Sequence, residues 1–219
     1  VPEGGEPTAS EMKVSQILMT PRTVAAQTAI TRLLLVQSGA IVNRIVRDDL
    51  GFQLVKALDG AAINGTGTGE PLGILNIDDL TPVAVQTHFA DTTAELISEL
   101  ETENVAGPYG FLINGAVAKA ARQSLDGNDR VVNMAELFHS TPVRVSEQVP
   151  DDLGAGGDES PMIIGRWSDL VIAYWSGVDV LADPFTQGAR GNVRLYAFLN
   201  CDINHRHRES FAYAQSNSF

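Results

Sequence analysis

The sequence is poor in cysteine and in lysine. Cys201 is the only cysteine, which excludes an internal disulfide framework and gives no support to an export route. Lysine occurs at Lys13, Lys56 and Lys119 only, and acidic residues outnumber Lys plus Arg by 27 to 15, a formal charge of −12. Gripping nucleic acid through its phosphates requires the opposite balance, so the composition argues against tight DNA binding. It suits a surface that lies beside nucleic acid without adhering to it. No apolar run approaches the roughly 20 residues of a membrane-spanning helix. The opening "VPEGGEPTASE" is polar and turn-rich, has no signal-peptide pattern, and reads as the interior of a longer chain.

What is present fits a globular chain. Its 219 residues, 44% of them hydrophobic and 19% charged, suffice for one large domain or two small ones with a real core. Residues 13–36, "KVSQILMTPRTVAAQTAITRLLLV", are rich in β-branched side chains. Val24, Ala26, Thr28 and Ile30 alternate with Ala25, Gln27, Ala29 and Thr31, which predicts one long strand or two, as in a projecting two-stranded arm. Residues 38–63 read as a long helix, because Ile41, Val42, Ile45, Val46, Leu50, Leu54, Val55, Leu58 and Ala62 recur at three- and four-residue steps. Ser38 is the expected N-cap, and Asn64-Gly65 supplies residues that tolerate left-handed backbone at the far end. Gly51 marks a weak point for a bend.

Downstream, the pattern predicts a helix over 91–105 capped by Asp91 or Thr92, a short buried strand at 109–115 and a helix at 116–127. Residues 141–150 alternate as a strand and 151–161 form an exposed turn. Residues 162–184 hold two or three strands, and 191–205 form a last long one. Helices and strands interleave without a regular βαβ repeat, so the fold class is α+β.

No motif carries chemistry on its own. The glycine-rich stretch "AAINGTGTGEPLGIL" (61–75) invites a phosphate-loop reading, but a Walker loop needs a Lys and a following helix. Here the helix comes first, Glu70 is the only charged residue, and a helix C-terminus repels anions. A dinucleotide fingerprint fails on the same order of elements. In "CDINHRHR" (201–208), His205 and His207 share a strand face near Cys201 and Asp202, as metal ligands can. Arg206 and Arg208 oppose a cation there, and an exposed polar strand end is the better reading. There is no Gly-x-Ser-x-Gly elbow, and Cys201 reads as a small buried hydrophobe. The acid pairs Asp48-Asp49, Asp78-Asp79 and Asp151-Asp152 diverge in direction and read as solvated turns. No catalytic, cofactor or metal site is therefore assigned.

The order of elements is more informative than any single motif. Residues 64–75 match Asn-Gly-x-Gly-Thr-x-x-Pro-x-Gly-Ile-Leu through Asn64, Gly65, Gly67, Thr68, Pro71, Gly73, Ile74 and Leu75. "TAITRLLLVQS" precedes the helix, "STPVRVSEQVP" follows the mixed region, and "RESFA" closes the chain. This sequence resembles the major capsid proteins of tailed bacteriophages with the HK97 fold. It departs from their pattern at Ser140-Thr141, where a glycine is common, and at Glu209, where a proline is.

The resemblance implies a long spine helix, an E-loop arm, a P-domain and an A-domain. Residues 1–22 would be the return half of the E-loop, and 23–76 the first part of the P-domain with the spine helix and glycine loop. Residues 77–172 would form the A-domain and 173–219 the P-domain return strands. It implies a non-enzymatic shell subunit that self-assembles into pentamers and hexamers of an icosahedral head, in the virion, assembled in the host bacterial cytoplasm. Its partners would be copies of itself, DNA enclosed without sequence-specific binding, and portal, scaffold, protease or cement proteins, with no membrane and no cofactor. Candidate subunit-interface residues are Asn64, Gly65, Gly67, Gly69, Pro71, Lys13, Ile17, Met19, Asp183, Arg190 and Asn192. Some family members join subunits by a Lys–Asn isopeptide bond. Asn192 falls near the acceptor position, but Lys13 lies well along the returning strand rather than at the arm tip, so no cross-link is expected. The alternatives are an encapsulin-like compartment shell and, in a different class, a small hydrolase or nucleotide-binding enzyme.

Overall fold

The computed structural model describes residues 16–78, 80–125, 128, 130–217 and 219, with side chains described throughout except at 32, 35 and 38–43. Two four-stranded sheets organise the chain. The first is built around β7 (Asn192–His205), a fourteen-residue strand. Strand β1 (Arg22–Thr31) runs antiparallel along one edge of β7, from Arg22 opposite Cys201 to Thr31 opposite Asn192. Strands β5 (Leu170–Tyr174) and β6 (Asp179–Asp183) share the other edge, β6 opposite residues 194–198 and β5 opposite 201–205. The predicted alternation holds in β1, where Val24, Ala26, Thr28 and Ile30 turn inward and their neighbours are exposed.

Helix α1 (Arg32–Asn64) is longer than the sequence predicts and begins earlier. Its 33 residues make a rod of about 50 Å. Ser38 is not its N-cap. Thr31 takes that place, its hydroxyl accepting from Leu34 N at 3.3 Å, so "RLLLV" is helix and not the end of a strand. The helix passes through Gly51 without a break. Leu50, Leu54, Leu58 and Ala62, one turn apart, bury against Ala197, Leu199, Cys201 and Ile203 of β7. No two-stranded arm is seen among the described residues: β1 belongs to the main sheet, and residues 16–21 form no strand.

The second sheet runs β3 (Val143–Val145), β2 (Gly110–Ile113), β4 (Ser160–Gly165), β8 (Phe211–Ser216), with β3–β2 parallel and the rest antiparallel. Helices α2 (Phe89–Thr102), α3 (Gly115–Gln123) and α4 (Met134–Leu137) cover one face over Phe111, Ile113, Met162 and Ile164. Asn114 caps α3 through Val117 N at 2.9 Å and Asn133 caps α4 through Ala135 N at 3.1 Å. The other face, through Ile163, Phe211 and Tyr213, packs on Ile63 at the end of α1 and on Ile74 and Ile77 just beyond it. Helix α2 starts at Phe89 behind His88, so neither Asp91 nor Thr92 is its cap. The strand expected over 141–150 shrinks to three residues, and β7 is not the last strand because β8 follows it.

Burial at the helix–sheet contact decides the stability of the first layer. Leu54→Ala should lower unfolding stability by about 2–5 kcal/mol, read by chemical denaturation. A loss below about 1 kcal/mol would mean that Leu54, 1% exposed, does not pack as described.

Candidate subunit interface

The glycine loop is a closed turn between α1 and the second core. Gly65 N donates to Ala61 O at 2.9 Å, Gly73 N to Gly65 O at 2.8 Å and Gly67 N to Pro71 O at 3.3 Å. The Asn76 amide bridges back to Asn64 O, Asn64 Oδ1 and Gly65 O at 3.1–3.2 Å. Glu70 accepts from Thr66 N and Thr66 Oγ1, each at 2.9 Å, which accounts for the one charge in the motif.

The glycines serve different needs. Gly65 is not left-handed as expected: its φ is −64° and it is extended. It must be glycine because a Cβ would stand 2.1 Å from Pro71 O, and at Gly73 one would stand 2.4 Å from Gly65 N. Gly67 and Gly69 do take positive φ, +76° and +80°. Pro71 is buried, while Asn64 and Gly69 are exposed.

The interface candidates fall into two groups at opposite ends of β7. At one end, the arm root carrying Ile17 and Met19 meets the glycine loop, because Arg22 Nη1 donates to Gly67 O at 2.8 Å. At the other, Asp183, Arg190 and Asn192 surround the β6–β7 turn. The Asp183 carboxylate accepts from Thr186 Oγ1, from Phe185 N at 2.8 Å and from Thr186 N at 3.2 Å. Those bonds hold its pKa below the usual carboxylate value. Asn192 Nδ2 donates to Gln187 Oε1 at 3.4 Å, and Arg190 is exposed. Asn192 pairs with Thr31 and Cys201 with Arg22, so about 30 Å of strand separates the groups. Lys13 lies outside the described residues. Sequence reading did not single out Arg22 or Asn76, which tie the loop down. The signal for Arg22 was Asp202, the one acid in β7.

Among the described residues, large apolar side chains stand exposed. On α1 these are Leu33, Leu34, Val36, Ile45, Phe52 and Val55. Phe52 lies two residues from Leu50, about 200° round the helix, so it faces away from the buried stripe. Along the β5–β6 turn and β6, Tyr174, Trp175, Val178 and Leu181 are exposed, as is Phe185 in the β6–β7 turn.

The end of β7 corrects the reading of "CDINHRHR". Cys201, Asp202 and His205 are buried, and only Arg206, His207 and Arg208 of the cluster's remainder stand exposed. The reason is that β7 is flanked on both edges and its end is roofed by Phe211, whose ring meets His205 edge-on at 5.6 Å. Burial, then the Arg208 charge, lowers the His205 pKa to about 4, and burial raises that of Cys201. Among the described residues no three His, Cys, Asp or Glu side chains are grouped to hold a metal.

A family model described as the phage capsid family matches residues 1–216. The chain belongs to the phage capsid family. The major capsid protein of Halomonas phage phiHAP-1 is 26% identical over 221 residues, covering 97% of this chain and 35% of the relative. The chain therefore spans about a third of the length of that curated relative. Among solved structures, the capsid of an empty GTA particle superposes with TM-score 0.71 at 21% identity, covering 96% of this chain and 80% of that one. The SrpI encapsulin of Synechococcus elongatus gives TM-score 0.60 at 15% identity over 90% and 74%. The fold is the HK97-like capsid fold of mixed helices and sheets, with α1 as its spine helix.

Two outcomes test this geometry. Gly73→Ala should cost about 3 kcal/mol or more through collision with backbone, against about 1 kcal/mol for Gly69→Ala, where space is open and only the left-handed φ is strained. Melting of the two variants in the reverse order would remove the packing account. For His205, the unfolded chain takes up a proton near pH 6.5 and the folded one only near 4. The contribution of His205 to stability is thus lost as pH falls from about 6.5 to about 4 and changes no further below that. His205→Phe should flatten the difference in unfolding free energy across that window. Parallel curves for variant and parent would show that His205 does not titrate on unfolding.

Proposed function

We propose that the chain is a shell subunit of a phage head, assembling with copies of itself into pentamers and hexamers around packaged DNA. The observation that carries this reading is the uncovered apolar surface of α1, in a chain of the phage capsid family. A rod that buries one stripe and leaves Phe52, Val55 and Ile45 in water is incomplete as a monomer. Repeated contacts between identical subunits cover such a surface and close into a shell. The −12 charge suits a wall that encloses DNA without trapping it. In this reading the subunit has no catalytic role, and portal, scaffold, protease or cement proteins are further partners. Assembly takes place in the host bacterial cytoplasm.

In this reading residues 23–76, with the spine helix and glycine loop, and 173–219 make up the P-domain, and 77–172 the A-domain. Strand β8, within 173–219, returns to pair with β4 and joins the two. Residues 1–22 are read as the return half of the E-loop arm.

The encapsulin likeness supports the fold alone, whereas the curated relative is a phage major capsid protein, which favours the phage reading. Electron microscopy of the full-length protein should show megadalton shells, and their contents, DNA or protein, separate the two readings. Phe52→Ala should cut shell yield while changing subunit stability by less than about 0.5 kcal/mol. Monomers at every concentration for the parent would count against both.

A further inference from the structure

The β1–β7 ladder ends at Arg22, and among the described residues none before it lies in a strand. Past that point side chains hold the arm root. The Asp202 carboxylate, 4% exposed, accepts from Thr20 N at 2.8 Å and lies 3.6 Å from Arg22 Nε. Asn204 Nδ2 donates to Leu18 O at 3.2 Å. The other end of the same guanidinium reaches Gly67 O in the glycine loop. One side chain thus spans the arm root, the central strand and the end of the spine helix.

Among the described residues the junction stays partly open. A cleft of about 440 Å³, lined in part by Thr20, Leu72 and Asn204, remains open beside the clamp, so apolar packing does not fix the arm. A buried carboxylate is tolerated only when paired and hydrogen-bonded. One oxygen of the Asp202 carboxylate accepts from Thr20 N, and the other accepts from Ile203 N at 3.0 Å while facing the Arg22 guanidinium. Left-handed Gly67 points its carbonyl at Arg22, and the Thr66–Glu70 bonds hold that turn.

We propose that Arg22 is a positioning residue that sets the exit direction of the arm by locking its root to Asp202 and the glycine loop together. The arm's bearing is then fixed by the end of the spine helix, and the glycine motif serves as the far anchor of the clamp. The role in assembly rests on the shell reading; the clamp itself does not.

The test is amide hydrogen exchange on the full chain, beside electron microscopy of the assembled product. Arg22→Ala should speed exchange at residues 17–20 roughly tenfold and leave 160–165 and 211–216 unchanged. Arg22→Lys keeps the charge opposite Asp202 but cannot bridge to Gly67, and should fall between the two. Shells of Arg22→Ala should be fewer or irregular. If that variant does not fold, Gly67→Ala, which turns the anchor carbonyl away, should release 17–20 in the same manner. Unchanged exchange at 17–20 in the folded variants overturns the clamp. Released exchange with regular shells in normal yield overturns its role in assembly. A parent that forms no shells would overturn the shell reading while the exchange result still decides the clamp.

Discussion

Everything in the first layer depends on β7 having both edges paired. Ten of its residues face β1, and its other edge is shared by β6 and then β5. A strand so flanked can bury residues on both faces near its end, which is why Asp202 and His205 sit inside. On its helix side, Ala197, Leu199, Cys201 and Ile203 receive the leucines of α1. On the other side Tyr196 and Phe198 stack at 6.3 Å and Arg194 donates to the Tyr196 hydroxyl at 3.3 Å. Without β7, β1 loses its one strand partner among the described residues, and the leucines of α1 lose the strand they bury against.

That dependence explains what could be read from sequence. The spine helix was legible because Leu50, Leu54, Leu58 and Ala62 repeat at one-turn spacing against a single apolar strand. The alternation in β1 was legible because only one of its faces is covered. The start of α1 was not. Arg32 to Val36 are apolar enough for a strand, and the deciding signal was one hydroxyl, Thr31, capping Leu34 N. The burial of His205 was hidden too, since nothing local to residues 201–208 announces the roof that Phe211 supplies from the following strand. Local composition there is polar, and the tertiary neighbour overrides it.

The glycine motif was half legible. Order of elements sufficed to remove phosphate binding, because a loop after a helix meets the negative end of its dipole. Which glycines bend and which merely make room could not be told apart without coordinates. Gly65 and Gly73 make room, their amide and carbonyl groups meeting where no Cβ fits. Gly67 bends, and its carbonyl is spent on Arg22, forty-five residues earlier in the chain. A motif that looks like a ligand loop thus has backbone and a guanidinium as its ligands.

The same division of labour accounts for the uneven surface of the chain. The second sheet is closed by three helices on one face and by the glycine-loop isoleucines on the other, and its core is complete within one subunit. The spine helix and the β5–β6 turn are not closed, and their exposed side chains are large and apolar. The rod and the arm root thus keep surface for neighbours. A rigid clamp at the arm root fits that arrangement. An arm that swivelled freely would lose conformational entropy at every contact it made, whereas an arm already fixed by Arg22 and Asp202 has lost that freedom during folding.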